Sequence, residues 1–216
     1  MNVRGRGVRL SGAVVAALMT IGFVATQTAT GQNARVSIAT PEAKHVKQGQ
    51  RVHVRGRLNP GQRGRTVLVQ HRKKGHWVTA DRDRTGAEGR FDGSWRVQKA
   101  AGRYRTRVVF PGNRRTGRRV DETRLYVYRP GNASYYGPGF YGNRTACGRT
   151  LTPSTLGVAN RWLPCGTRVT LRYHGRTVTV PVIDRGPYHG SRIWDLTYAT
   201  KRKLGFGSTG VVWSTR

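Results

Sequence analysis

Between Ala34 and Tyr128 the apolar residues recur with a period of two and nowhere with the period of a helix, which confines this stretch to short β-strands. The alternation is plainest at Val52/Val54 and Val67/Val69. Strands are expected at 35–39, 51–58, 65–71, 77–80, 90–97, 104–110 and 124–128. Asn59-Pro-Gly, Lys74-Gly, Thr85-Gly and Pro111-Gly-Asn supply turn chemistry between them. Seven short strands at this spacing predict an antiparallel β-sandwich over residues 34–128, immunoglobulin-like in kind. No catalytic constellation accompanies them. His45, His53, His71 and His76 are scattered over strands and turns, so this region reads as a spacer or adhesive module.

The first thirty-one residues have a different texture. Arg4, Arg6 and Arg9 precede an uncharged stretch from Leu10 to Thr26, and Ala29-Thr30-Gly31 forms a small-residue cleavage site. The stretch is short and rich in small residues for a bilayer span. It has the layout of a secretory signal peptide over residues 1–31. The expected mature protein is therefore secreted, extracellular or wall-associated, with no stable membrane insertion after cleavage, and a monomer. The formal net charge is +31 and falls only to +28 without that segment. Such charge implies an anionic partner. Nucleic acid is one candidate. Export favours anionic wall polymers bearing phosphate or carboxylate instead, and no specific nucleic acid is expected. Export also favours oxidation of the two cysteines, Cys147 and Cys165, to a disulfide, the alternative being two buried thiols. No clustered His or Cys stands near them, so neither a metal nor an organic cofactor is expected.

Arg129-Pro-Gly-Asn, residues 129–132, reads as a linker, and residues 133–216 are richer in Gly, Tyr and Trp. Two alternating segments, 167–173 and 176–184, flank His174-Gly175 as a hairpin. Thr197 suits the cap of one short helix running to about Leu204, with Gly205 in the left-handed position after it. Val211-Val-Trp supplies a last strand. A small closed barrel accommodates this pattern and leaves no exposed sheet edge. After Glu122 the side-chain carboxylates are Asp184 and Asp195 alone. Each has two readings. Asp184 suits the turn before Gly186-Pro187, and Asp195 a helix start. Either also suits a general acid.

The order and spacing of Ala133-Ser-Tyr-Tyr-Gly-Pro-Gly-Phe-Tyr-Gly, Arg144-Thr-Ala-Cys-Gly, Leu163-Pro-Cys-Gly-Thr-Arg-Val, Val182-Ile-Asp-Arg-Gly-Pro-Tyr and Ile193-Trp-Asp-Leu-Thr resemble the rare lipoprotein A (RlpA)-like double-psi β-barrel family, related to expansins and barwin. The resemblance covers residues 133–216 and none of the sandwich. It implies a six-stranded double-psi β-barrel with one short helix, all-β overall. It also implies a septal lytic-transglycosylase-like action on peptidoglycan glycan strands. Such cleavage uses one carboxyl group, unlike the two-carboxylate glycosidases. The group protonates the glycosidic oxygen and then takes the proton of the sugar's own C6 hydroxyl. The resemblance gives this role to Asp184, with Asp195 assisting, and places Thr145, Tyr136, Trp194, Tyr188 and Arg185 against the glycan. Tyr135, Tyr141 and Trp162 are further stacking candidates, and His189 a candidate proton shuttle. Where family members commonly carry Glu, Asp and His, this chain has Arg149, Thr152 and Asn160. The cysteines bring it nearer the expansin and barwin relatives. A non-catalytic, expansin-like binding or loosening of wall polysaccharide is therefore the alternative function.

Overall fold

The computed structural model describes residues 35–38, 45–97, 100–114 and 116–216. The expected signal peptide, residues 1–31, lies outside the described residues. The N-terminal half forms two sheets. In the first, β1 (Arg35–Ile38) pairs with β3 (Arg51–Asn59), and β3 with β6 (Arg90–Arg96). In the second, β5 (His76–Arg84), β4 (Thr66–Lys73), β7 (Gly102–Phe110) and β8 (Arg119–Tyr136) follow in that order, and β2 (His45–Lys47) pairs with β8 in parallel. Alternation sends Val52, Val54, Val67, Val69, Val108 and Val127 into one core between the sheets, with Phe91 and Leu125. Lys74 and Gly75 both take positive φ, 46° and 84°, the pattern of a type I′ turn between β4 and β5. β2 has a single buried residue, Val46, and is too short for a period to show in the sequence.

β8 is 18 residues long and belongs to both halves of the molecule. Its first part pairs with β7 through Val127. Arg129 to Ala133 then pair with β13 (Gly210–Ser214), and Ala133 to Tyr136 with β12 (Trp194–Thr197). The expected linker, residues 129–132, is thus strand. Pro130 lacks an N–H, but it sits where β8 has left β7 and β2 and has β13 as its paired neighbour. A Cβ at Gly131 would approach the Trp194 indole to 3.2 Å, so glycine lets the strand lie close over that ring.

Six strands close into a ring. Around it run β12, β9 (Val158–Ala159), β11 (Arg176–Asp184), β10 (Arg168–Tyr173), β13 and β8, and β8 pairs back onto β12. Two contacts in the ring are parallel, β8 with β12 and β9 with β11, and the rest are antiparallel. The β10–β11 hairpin turns at His174-Gly175, both with positive φ, as the sequence predicts. Val158, Val169, Leu171, Val180, Val182, Leu196 and Val212 fill the interior. The helix α1 spans Tyr198–Leu204, capped by Thr197 and closed by Gly205 at φ 68°. A buried network ties it to the barrel: the Gly157 N–H donates to Thr200 Oγ1 at 3.0 Å, and the Thr200 hydroxyl donates to the Gly157 carbonyl at 2.9 Å. Cys147 and Cys165 form a disulfide.

Candidate functional site

The strand register brings the two barrel carboxylates to one place. Ala159 of β9 is opposite Asp184 on β11 and also opposite Asp195 on β12. The two aspartates therefore flank one small buried residue, with about 10 Å between their Cα atoms from two strand spacings. Above Ala159 opens a groove of about 560 Å³ lined by Asp184, Asp195, Tyr136, Thr145, Tyr188 and Arg185, among others. Six of the residues expected at the site are thus brought together.

The two carboxyl groups have different surroundings. Asp184 Oδ1 accepts the backbone N–H of Ala146 at 2.8 Å and of Arg185 at 2.9 Å. Asp195 Oδ1 accepts the Ser134 hydroxyl at 2.9 Å. Burial raises the Asp195 carboxyl above its ordinary value; the Ser134 bond and the Arg192 charge pull it down, and Asp184 adds to the rise. The Tyr136 phenol lies beside both. Burial, then Asp184, then Asp195 hold it protonated far above its ordinary value. The Tyr136 hydroxyl is buried and closes no complete hydrogen bond.

Arg185 does not turn toward Asp184. Its Nη1 donates to the carbonyls of Leu163 at 3.0 Å and Asn160 at 3.3 Å, and its Nη2 to Cys165 Sγ at 3.4 Å. The guanidinium lines the groove while bracing the segment that carries the disulfide. Thr145 is buried, and its hydroxyl oxygen accepts the Arg149 N–H at 3.2 Å, so it fixes a turn as well as lining the groove. Tyr188, 69% exposed, and Phe140, 56% exposed, leave open ring faces on the rim.

Trp194 is a correction. It is 1% exposed and sits in the barrel core, with no face to offer a sugar. The reason is strand geometry: neighbours on β12 point to opposite sides, so Asp195 in the groove puts Trp194 and Leu196 inside. That signal was present in Trp-Asp-Leu. Nor does Asp195 cap the helix, since Thr197 does. Tyr135 and His189 line the groove, whereas Tyr141 and Trp162 do not. Sequence reasoning missed Phe140, Asn143, Arg144 and Arg192, which reach the groove from loops without periodicity. Arg149 and Thr152 lie outside it. Asn160 is buried, with its Nδ2 donating to Ile193 O at 3.0 Å and its Oδ1 accepting from Trp162 and Leu163. Its amide holds a turn and has no proton to transfer. Among the described residues no group of three or more His, Cys, Asp or Glu side chains is placed to hold a metal ion.

A closed ring of six strands with two parallel pairs, carrying paired carboxylates in an open groove, defines the class of a double-psi β-barrel. A family model described as "Lytic transglycolase" matches residues 129–213. The barrel is 47% identical over 83 residues to the "Probable endolytic peptidoglycan transglycosylase RlpA" of Synechocystis sp., covering 38% of this chain and 26% of that one. It is 43% identical over 82 residues to the "Endolytic peptidoglycan transglycosylase RlpA" of Neisseria meningitidis serogroup A, covering 37% of this chain and 34% of that one. Among solved structures, the Streptomyces papain inhibitor aligns with a TM-score of 0.33 at 25% identity, over 41% of this chain and 94% of its own. The C-terminal part of this chain belongs to the RlpA-like double-psi β-barrel family. The chain spans about a quarter to a third of the length of these two curated relatives.

Proposed function

We propose that the barrel cleaves peptidoglycan glycan strands as a lytic transglycosylase, with Asp195 rather than Asp184 as the proton donor. The observation that carries this is the asymmetry of the pair across Ala159: burial favours the protonated form of Asp195, while Asp184 Oδ1 is held by two backbone N–H donors. Asp195 gives its proton to the glycosidic oxygen as the C1–O bond breaks. The sugar's C6 hydroxyl then bonds to C1, and its proton returns to Asp195. The Asp184 carboxylate faces the positive charge that develops at C1. Phe140 and Tyr188 on the rim offer ring faces to the sugars. The names of the curated relatives support peptidoglycan as the substrate. In this reading the protein is exported by residues 1–31, and an immunoglobulin-like sandwich presents the barrel to the wall.

One observation favours a second reading, non-catalytic binding or loosening of wall glycan. The places of the family's Glu and Asp lie outside the groove, and Asn160, at the place of its His, is locked in a turn. The test is product analysis. Sacculi are incubated with residues 32–216, or with its Asp195→Asn and Asp184→Asn variants, and soluble fragments are identified by mass spectrometry. The cleavage reading requires 1,6-anhydro ends from the parent protein and at least about 100-fold less from Asp195→Asn. Pelleting of all three proteins with no soluble fragments supports the binding reading instead.

A further inference from the structure

The outer face of the β5-β4-β7-β8 sheet carries a set of cations that the groove does not use. Alternation on β7 puts Arg103, Arg105 and Arg107 on the side opposite Thr106 and Val108, which are buried. Register adds Arg124 of β8, opposite Arg105, and Arg72 of β4, opposite Trp77. Residues two apart on a strand lie about 7 Å from each other, and adjacent strands about 5 Å apart. The guanidinium groups therefore form a grid longer than a single small anion. We propose that this face binds a linear phosphodiester polymer of the cell wall, at a site separate from the glycan groove.

Several observations support a built site. Arg107 stacks on Trp77, its guanidinium carbon 4.0 Å from the ring centre, and its Nε donates to Gln70 Oε1 at 2.8 Å. Arg105 donates to the Glu122 carboxylate. These side chains are held in place before a ligand arrives. Arg105 and Arg124 are directly opposed like charges, which the one Glu122 carboxylate beside Arg105 offsets only in part. Burial, with the charges of Arg118, Arg105 and Arg72, lowers the Arg107 guanidinium below its ordinary value, and Glu122 only partly offsets this. A concavity of about 320 Å³ is lined by Arg103, Tyr104, Arg105, Arg124 and Arg216. Arginine forks match phosphate oxygens two at a time, which a lysine point charge does not. The aromatics of this face argue against bases as the recognised part of the polymer. Trp77 is covered by Arg107, and Tyr126 is stacked on His45 at 4.9 Å, so neither leaves an open platform for a base.

This goes beyond the glycan-cleavage reading and does not depend on it, since none of these arginines lines the groove. The test uses residues 32–216 and a fluorescent poly(glycerol phosphate) of defined length. A triple variant, Arg103→Gln, Arg105→Gln and Arg124→Gln, is compared with a control of equal charge loss on the barrel, Arg168→Gln, Arg202→Gln and Lys203→Gln. Melting curves verify that both are folded. The face variant is expected to bind at least about tenfold more weakly at 0.1 M salt, with the slope of log K against log salt reduced by about 2, roughly 0.7 for each lost contact. The control is expected to bind within about twofold of the parent. Equal loss in both variants, or no binding of the polymer, overturns the proposal. So does tighter, face-dependent binding of polygalacturonate, single-stranded DNA or anionic vesicles. Release of glycan fragments by the face variant is expected to be unchanged, so failure of either reading leaves the other standing.

Discussion

Removing the Cys147–Cys165 crosslink is expected to lower stability while leaving the folded groove intact. The cysteines are 18 residues apart in sequence. On the chain-entropy argument, closing a loop of that length restricts the unfolded chain by about 3 kcal/mol. The N-terminal sheets and the barrel share β8 and fall in one compact unit, Gln32–Arg216. For a unit of that size each kcal/mol shifts Tm by about 2–4 °C, so the double variant Cys147→Ser/Cys165→Ser is expected to melt about 6–12 °C lower. The clamp on Asp184 does not depend on the sulfurs. The bond to its carboxylate from the Ala146 N–H and the 3.2 Å bond to Ile183 O from the Cys147 N–H both come from backbone donors that meet the end of β11. Glycan affinity below the melting range is therefore expected within about twofold of the parent, and the unfolding m-value is expected to rise as the unfolded chain expands. Thermal and urea melts with and without reductant, beside a sacculus-binding assay at 20 °C, read both effects. A Tm shift under 2 °C would refute the entropic account. Loss of glycan binding by the folded variant would refute the claim that the backbone alone positions Asp184.

Three further substitutions separate core from groove and charge from burial. Trp194→Phe is expected to lower stability by about 1–3 kcal/mol as a shape change in a packed core, with glycan affinity unchanged; Tyr188→Ala is expected to do the reverse, weakening sacculus binding with Tm nearly constant. Asp195→Asn is expected to change the pH dependence of stability. The folded carboxyl has a raised pKa, so in the parent the unfolded chain ionises first and stability is lost as pH rises through the folded value. The variant lacks that loss. Its stability relative to the parent should improve between about pH 4 and neutrality, and chemical denaturation at several pH values would detect the opposite sign.

Much of the barrel was legible in local chemistry. The His174-Gly175 turn, the Thr197 cap and Gly205 each combine a residue type with a backbone requirement that few other residues meet. The scarcity of acids after Glu122 singled out Asp184 and Asp195 before any geometry was known. What escaped was tertiary. Pro130-Gly131 carries the chemistry of a break, yet the strand runs through it, because an exchange of partners tolerates Pro and the Trp194 ring requires Gly. The different surroundings of the two carboxyl groups were equally hidden. They depend on the Ala146 N–H, Ser134 and the depth of burial, which arrive from separate strands and a loop. Arg185 adjoins Asp184 in sequence, and only the fold shows its guanidinium turned to the 160–165 segment.

The most direct test of the central claim, that the fold raises the Asp195 carboxyl across Ala159 from Asp184, is a carboxyl-carbon NMR titration of residues 32–216 labelled at aspartate, with Asp184→Asn and Asp195→Asn assigning the signals. The account predicts that Asp195 titrates above the ordinary aspartate range and that its midpoint falls when Asp184 is replaced by Asn. An Asp195 midpoint at or below the ordinary aspartate value, or one that does not move in Asp184→Asn, would contradict the assignment of the proton donor.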